Sequence, residues 1–351
     1  MKQYLLTILF IFVLVNASKA QQVTHIVHAN GYLQRQVNSI LSHNIKQLNA
    51  INGQVIIMDC KSGEIKAMVN LMNTKSGIKP AIGQLSEPTA LMRTVSLLAV
   101  LEQGKIKPND SIDTKSGMLD INGYLLEDYN WRRGGNGKIS VQQGFLLSSN
   151  IATYLTVKQA FGKDYAQFHK IIIDMGYGLP QDSIKVALPI PNDNITLAKF
   201  VNGKNQQISP LQILTFYNAI TNNGKMVKPT FHKRDTTIIK EQLASKENIA
   251  IIQQLLVQKV KEGLAHQAYS NKVSIAGEQG AVAAKDDRDN TVYCLQFCGY
   301  YPSDNPQYSI IVSLNKKGLP ASGGMAGEIA KQIVNKYNKM IKIYGKIQLF
   351  N

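Results

Sequence analysis

The chain has 351 residues, of which 44% are hydrophobic and 18% charged, so it can form a large core and is neither fibrous nor of low complexity. Its formal net charge of +16 at pH 7 favours anionic partners, although a generally basic surface is the simpler interpretation. The lysines are scattered and no basic run is interleaved with aromatic residues, which argues against a nucleic-acid partner.

The N-terminal sequence MKQYLLTILFIFVLVNASKAQQ has one lysine before an apolar run from Tyr4 to Val15, followed by small residues at Ser18 and Ala20. This pattern predicts a secretory signal peptide over residues 1–20, because the apolar run is too short to span a bilayer comfortably. An uncleaved membrane anchor is the alternative, and it would be the chain's one membrane contact. We therefore expect an exported, extracytoplasmic protein whose mature part begins at residue 21.

The first half of the chain predicts a helix, a hairpin and a buried helix. Apolar residues recur at helical spacing over 31–48, and two β-rich runs at 54–59 and 64–71 flank a Cys-Lys-Ser-Gly turn. Residues 86–104 predict a helix that is apolar nearly all round, and such a helix is buried. Its first turn places Ala90 and Arg93 on one face, at a helix N-terminus that attracts an anion.

The rest of the chain predicts a mostly helical region followed by strands. A less regular segment follows Gly104. Helices are expected at 141 to about 148, 154–161, 165–174, 210–222, 245–268 and 324–337, and strands at 272–276, 291–300 and 308–314. A hairpin near the start and strands near the end thus enclose the helices. This order predicts an α+β fold in which both ends of the chain build one antiparallel sheet, with a helical lobe between them.

The cysteines and histidines give no firm site. Cys60, Cys294 and Cys298 do not form a disulfide framework, and one bridged pair or three free thiols both stay open. His25 and His28 lack nearby carboxylates or cysteines, so no metal site and no cofactor are predicted.

Six segments occur in an order that is typical of one enzyme family. They are QVIIMDCKSGEIKAMVN, EPTALMRTVSLLAVLEQGKI, GKISVQQGFLLSSNIA, ISPLQILTFYNAITNNGK, SIAGEQGA and FCGYYPSDNPQYSIIVSL. Together they resemble the transpeptidase domain of penicillin-binding proteins, the acyl-serine enzymes that cross-link peptidoglycan. The resemblance covers residue 31 to the C-terminus. It implies a β-lactamase/transpeptidase-like domain over 21–351, with a sheet lobe at about 31–85 and 270–351 and a helical lobe at about 86–269.

The chain departs from the family at the motifs that carry its chemistry. The pattern Glu-Pro-Gly-Ser-Thr-x-Lys-Pro falls on residues 87–94, so Ala90 replaces the nucleophilic serine and has no oxygen for attack. Arg93 replaces the lysine, and its guanidinium cannot accept a proton at physiological pH. Glu278-Gln279-Gly280 replaces Lys-Thr-Gly, and Glu278 would repel a substrate carboxylate. Ser148, Asn150 and Gly280 match the family's motifs.

Two questions follow from these departures. Arg93 either forms a buried salt bridge with Glu278 or captures an anion. We favour the salt bridge because an unpaired buried charge is costly. A relocated nucleophile would be Ser76, in the loop sequence Ser-Gly-Ile-Lys-Pro, or Ser148.

The sequence therefore predicts a penicillin-binding-protein-like pseudoenzyme that binds peptidoglycan or a wall-synthesis protein. The alternative is an active D,D-transpeptidase or carboxypeptidase that uses Ser76 or Ser148.

Overall fold

The computed structural model describes residues 31–80, 85–179, 186, 188–231, 236–285 and 289–348, with side chains described up to residue 338 except that of Pro80. The predicted signal peptide over residues 1–20, with His25 and His28, lies outside these residues. Within the described part of the chain, no helix is both long and apolar enough to cross a membrane.

The described strands and helices follow the predicted order. The strands are β1 (Ala50–Asp59), β2 (Ile65–Thr74), β3 (Gly77–Pro80), β4 (Ser111–Asp113), β5 (Met118–Ile121), β6 (Tyr124–Glu127), β7 (Lys138–Ser140), β8 (Met226–Val227), β9 (Ile238–Lys240), β10 (Ala276–Lys285), β11 (Thr291–Tyr301) and β12 (Tyr308–Lys317). The helices are α1 (Gly31–Gln47), α2 (Met92–Gln103), α3 (Val141–Leu146), α4 (Asn150–Phe161), α5 (Tyr165–Asp174), α6 (Asn194–Val201), α7 (Pro210–Thr221), α8 (Lys246–Lys261) and α9 (Gly323–Gln348).

One antiparallel sheet joins the two ends of the described chain, as the sequence predicted. Its strand order is β10-β11-β12-β1-β2-β3. In β1, Val55 and Ile57 belong to the core cluster under α1 and α9, whereas Ile56 and Met58 belong to the cluster of the helical lobe. Successive side chains on a strand point to opposite faces, so helices cover this strand on both sides. The α+β architecture with an inserted helical lobe is therefore confirmed.

Helix α2 is the central element of the helical lobe. Residues Met92–Leu101 are all buried, and the helix packs against α4, α5, α6 and α8. It ends at Gly104, whose φ of +80° lies in the left-handed region that favours glycine. A short 3₁₀ turn at Thr89–Leu91 precedes it. The prediction of a buried helix that ends at Gly104 is confirmed.

Three predictions for the other parts of the chain need correction. The strand expected at 272–276 is wrong, because β10 begins at Ala276 and runs to Lys285. Glycines at 277 and 280 weaken the strand signal there, yet pairing with β11 along the whole of β10 makes this segment a strand. The last helix runs to Gln348 rather than 337. The segment after Gly104 forms two small two-stranded sheets, β4 with β7 and β5 with β6.

Shortening a core side chain of α2 tests its central position. Leu98 is completely buried, so we expect Leu98→Ala to lower the free energy of unfolding by about 3 kcal/mol through lost apolar burial and the cavity left behind. Chemical denaturation monitored by circular dichroism measures this change. Leu125, which is 48% exposed on β6, supplies the control, and Leu125→Ala should shift the unfolding free energy by less than about 0.5 kcal/mol. Equal effects of the two variants would contradict a core role for α2.

Candidate active site

A cavity of about 460 Å³ lies where the N-terminal turn of α2, the α3–α4 junction and strand β10 meet. Predicted site residues from all three segments line it: Ala90, Arg93, Ser148, Asn150, Gln279 and Gly280. Glu278 is not among the lining residues. The fold therefore brings six of the seven predicted residues to one cavity, from segments far apart in the sequence.

Two glycines allow neighbouring segments to close on the turn that holds Ala90. A Cβ on Gly280 would lie 2.4 Å from the backbone nitrogen of Ala90, and a Cβ on Gly203 would lie 1.7 Å from the carbonyl oxygen of Thr89. Thr89 itself has a φ of +54°, a strained value for a β-branched residue, at the position where the family pattern has glycine. Its Oγ1 donates to Oε1 of Gln296 on β11 at 3.2 Å. The turn is thus held tightly against the sheet.

Arg93 is 8% exposed and has no carboxylate within salt-bridge distance in the described part of the chain. Its Nη2 donates to Oδ1 of Asn150, and its Nε donates to Oδ1 of Asn202 at 3.4 Å. Burial lowers the pKa of Arg93, and the charges of Glu278 and Asp128 oppose that effect. The predicted Arg93–Glu278 salt bridge is therefore wrong, because two neutral amides contact the guanidinium instead.

Glu278 pairs with a lysine that the sequence did not single out. Lys259, on α8, donates its Nζ to Oε2 of Glu278, and both side chains are completely buried. Lys259 Nζ also donates to the carbonyl oxygen of Phe145 at 2.5 Å and lies 4.0 Å from the centre of that ring. Burial lowers the pKa of Lys259, and the Glu278 carboxylate opposes the shift. The expectation that Glu278 would repel a carboxylate in the cavity needs correction, because this carboxylate lies behind the cavity wall with its own counterion.

The α3–α4 junction presents Ser148 and Asn150 to the cavity. Ser148 has a φ of +50°, and its buried Oγ has no hydrogen-bond partner among the described residues. Asn150 is held in place because its Nδ2 donates to the carbonyl oxygen of Glu127 at 2.6 Å. Buried Asp128 accepts from Ser149 Oγ at 2.7 Å and from Ile151 N at 3.1 Å, at the beginning of α4. A carboxylate at a helix N-terminus stabilises this junction.

The described lining of the cavity combines polar and apolar residues and contains no acidic side chain. Its charged lining residues are Arg93 and Lys204, both cationic. Amide and hydroxyl groups come from Gln267 and Ser322, and Tyr129, which is 54% exposed, stands at the edge. Such a wall favours an anionic ligand over a cationic one.

Ser76 does not reach this cavity. It lies in the exposed turn between β2 and β3, with its Oγ 3.2 Å from Thr74 Oγ1. β3 and β10 form opposite edges of the sheet, so five strand spacings, or ~24 Å, separate them. The structure brings Ser148, and not Ser76, to the other motif residues.

The sequence left open whether two of the three cysteines form a disulfide, and in the structure none of them does. Cys60, Cys294 and Cys298 are all free and buried. Burial raises the pKa of Cys60 and Cys294, which keeps these thiols protonated and inert. Over the described ranges, no group of three or more His, Cys, Asp or Glu side chains lies together where it could hold a metal ion.

Sequence reasoning missed Lys259, Asp128 and Asn202. A signal for Lys259 was present, since it follows Ile252, Leu255 and Leu256 at helical spacing and so falls on the buried face of α8. A lysine on such a face requires a buried partner. No comparable signal marks Asp128 or Asn202, because each lies just outside a regular element.

Comparison with known proteins identifies the family. The family model described as the penicillin binding protein transpeptidase domain matches residues 53–335. Penicillin-binding protein PbpB of Mycolicibacterium smegmatis is 24% identical over 337 residues, which cover 82% of this chain and 51% of that protein. PbpB of Mycobacterium tuberculosis is 26% identical over 331 residues, with 83% and 47% covered. The chain thus spans about half the length of these curated relatives.

Solved structures agree on the fold. A peptidoglycan glycosyltransferase from Burkholderia ambifaria superposes with a TM-score of 0.76 at 20% identity, covering 90% of this chain and 97% of that one. The transpeptidase domain of penicillin-binding protein 3 from Burkholderia pseudomallei also gives 0.76, at 19% identity, covering 89% and 95%.

Removing one member of the buried ion pair tests its structural role. We expect Lys259→Met to lower the free energy of unfolding by about 3–5 kcal/mol, because it leaves the Glu278 carboxylate buried without a counterion. Adding Glu278→Gln should recover a large part of that loss. Lys261→Met, on the same helix at a side chain that is 67% exposed, is the matched control and should change stability by less than about 0.5 kcal/mol. Denaturant unfolding measures all three. A Lys259→Met protein as stable as the control would contradict the pairing.

Proposed function

The chain belongs to the family of penicillin-binding protein transpeptidase domains, and from this membership we propose that it binds peptidoglycan or a wall-synthesis protein without forming an acyl-enzyme. The observation that carries the proposal is the pair Ala90 and Arg93 in the cavity. Acyl transfer needs a nucleophile with an adjacent proton acceptor. A methyl group stands at the first position, and a guanidinium that cannot accept a proton stands at the second.

The proposal includes the cellular setting and the domain limits. Residues 1–20 are a signal peptide that is removed on export, or else an uncleaved anchor, and residues 21–351 form one domain outside the cytoplasm. The cationic cavity wall supports a binding role, because Arg93 and Lys204 face the cavity with no acidic lining residue between them. Retained motif residues Ser148, Asn150 and Gly280 support a ligand that is related to the family's substrate.

A second candidate is an active D,D-transpeptidase or carboxypeptidase with Ser148 as its nucleophile. The position of Ser148 favours it, since this residue lines the cavity and its buried Oγ has no hydrogen-bond partner among the described residues. The absence of a contacting base weighs against it, because a serine hydroxyl is a weak nucleophile until a neighbour accepts its proton. The placement of Ser76 at the far edge of the sheet argues against that residue.

Intact-protein mass spectrometry after incubation with a fluorescent β-lactam separates the two candidates. We expect the mass of the mature protein to be unchanged, because Ala90 supplies no oxygen for acylation. A penicillin-binding protein with an intact Ser-x-x-Lys motif, treated in parallel, shows that the reagent is active. An adduct that disappears in the Ser148→Ala variant would overturn the proposal and establish the second candidate.

Restoring the family's motif residues by substitution also tests whether Ala90 and Arg93 prevent acylation. Ala90→Ser with Arg93→Lys restores the nucleophile and its base, but Glu278→Lys alone would place two ammonium groups in contact at Lys259. Adding Lys259→Glu inverts the ion pair and keeps it neutral. We expect the four-substitution protein to gain covalent β-lactam labelling that Ala90→Ser alone lacks. Gel fluorescence measures the labelling, and denaturant unfolding confirms the fold. Labelling of the Ala90→Ser protein at the same rate would contradict the role given to Arg93.

A further inference from the structure

Two consecutive arginines in the loop between β6 and β7 each stack on an aromatic ring. Arg132 Cζ lies 5.0 Å from the centre of the Trp131 ring. Arg133 Cζ lies 5.7 Å from the centre of the Tyr129 ring. A guanidinium that rests on a ring keeps its N–H edge available and loses little further freedom when it binds an anion. We refer to Tyr129, Trp131, Arg132 and Arg133 as the arginine platform.

The loop that carries the platform is tightly packed although much of it is exposed. A Cβ on Gly135 would lie 2.2 Å from the carbonyl carbon of Ser116, so two stretches of backbone are in direct contact there. Asn130 Nδ2 donates to Asn136 Oδ1 at 2.9 Å, and Asn136 Nδ2 donates to Oδ2 of the buried Asp128 at 3.3 Å. The loop is therefore held in shape by its own contacts, and a ligand does not have to order it.

The exposed charge of this loop is entirely positive. Over residues 128–138 the acidic residue is Asp128, which is 1% exposed. Arg132, Arg133 and Lys138 are exposed. In the part of the chain that the structure describes, neither platform arginine forms a salt bridge. Two adjacent guanidinium groups without a counterion favour a ligand that carries carboxylate or phosphate groups.

The apolar groups beside the arginines favour a protein ligand over other anions. Tyr129 is 54% exposed, and Leu125, four residues earlier on β6, is 48% exposed. Tyrosine, tryptophan and arginine are enriched among the residues that contribute most of the binding energy at protein interfaces. A phosphate polymer offers little apolar surface to such side chains. A membrane surface is disfavoured, because Arg132 covers the Trp131 ring, which is then not free to enter the lipid interface.

We propose that the arginine platform docks an acidic segment of a partner protein. Carboxylates of the segment bind the two guanidinium groups, and an apolar side chain next to them packs on Tyr129 and Leu125. Trp131, Arg132 and Arg133 lie outside the cavity lining. This docking surface therefore goes beyond the proposed function and does not depend on a ligand in the cavity.

Selection of displayed random dodecapeptides on the mature protein tests the chemistry of the segment. We expect the recovered peptides to be enriched in Asp and Glu next to an aromatic or aliphatic residue. Fluorescence anisotropy of a recovered peptide measures its affinity. Arg132→Gln with Arg133→Gln should lower that affinity about tenfold or more, because charge-assisted hydrogen bonds are lost. Arg35→Gln with Lys261→Gln, at two exposed side chains elsewhere, is the control of equal charge and should lower it less than about twofold.

Three results would overturn the proposal. Recovered peptides without acidic enrichment would do so, and so would equal affinity of the peptide for the unaltered protein and the Arg132→Gln, Arg133→Gln protein. Inorganic polyphosphate and vesicles of phosphatidylglycerol are titrated in parallel on both proteins. If either binds more tightly than the peptide and depends on the two arginines, the surface recognises phosphate groups and not an acidic protein segment. None of these measurements uses a β-lactam or peptidoglycan, so their outcome is separate from that of the proposed function.

Discussion

The close contact between strand β10 and the turn before α2 holds the whole site together. At Gly280 no Cβ fits, because it would lie 2.4 Å from the backbone nitrogen of Ala90. Gly203 closes on the same turn from the other side, where a Cβ would lie 1.7 Å from Thr89 O. The backbone at these two glycines therefore packs directly on the backbone of the turn, and Thr89 in that turn has a strained φ. The turn that carries Ala90, where the family pattern has its nucleophilic serine, is therefore held against β10.

The charged residues near this contact differ from those of the family pattern. Glu278, where the family pattern has a lysine, is neutralised by Lys259 from α8. Burying such a pair contributes little net stability, but losing one partner is expensive. The pair therefore ties α8 to the edge of the sheet. Arg93 and Lys204 are the charged residues that line the cavity, and this positive charge favours an anionic ligand over a cationic one.

The proposed binding role rests on the same arrangement. The cavity has a volume of about 460 Å³, its described lining contains no acidic residue, and the methyl group of Ala90 lies where the family pattern has a serine. Under the proposed function, such a cavity holds its ligand without acyl transfer. The fold and the family are shown by the comparisons, and the binding role is the proposal that the residues of this cavity support.

The sequence alone determined the elements and most of the site. Apolar periodicity predicted α2 and its end at Gly104, and the resemblance to the family implied that Ala90, Arg93, Ser148 and Gly280 belong to one pocket. Local pattern failed at β10, because its glycines lower strand propensity and only pairing with β11 makes it a strand. It also failed for Glu278, whose partner Lys259 lies on another element. Tertiary structure decided these points because ion pairs and strand edges depend on which elements pack together, and local propensity carries no information about that.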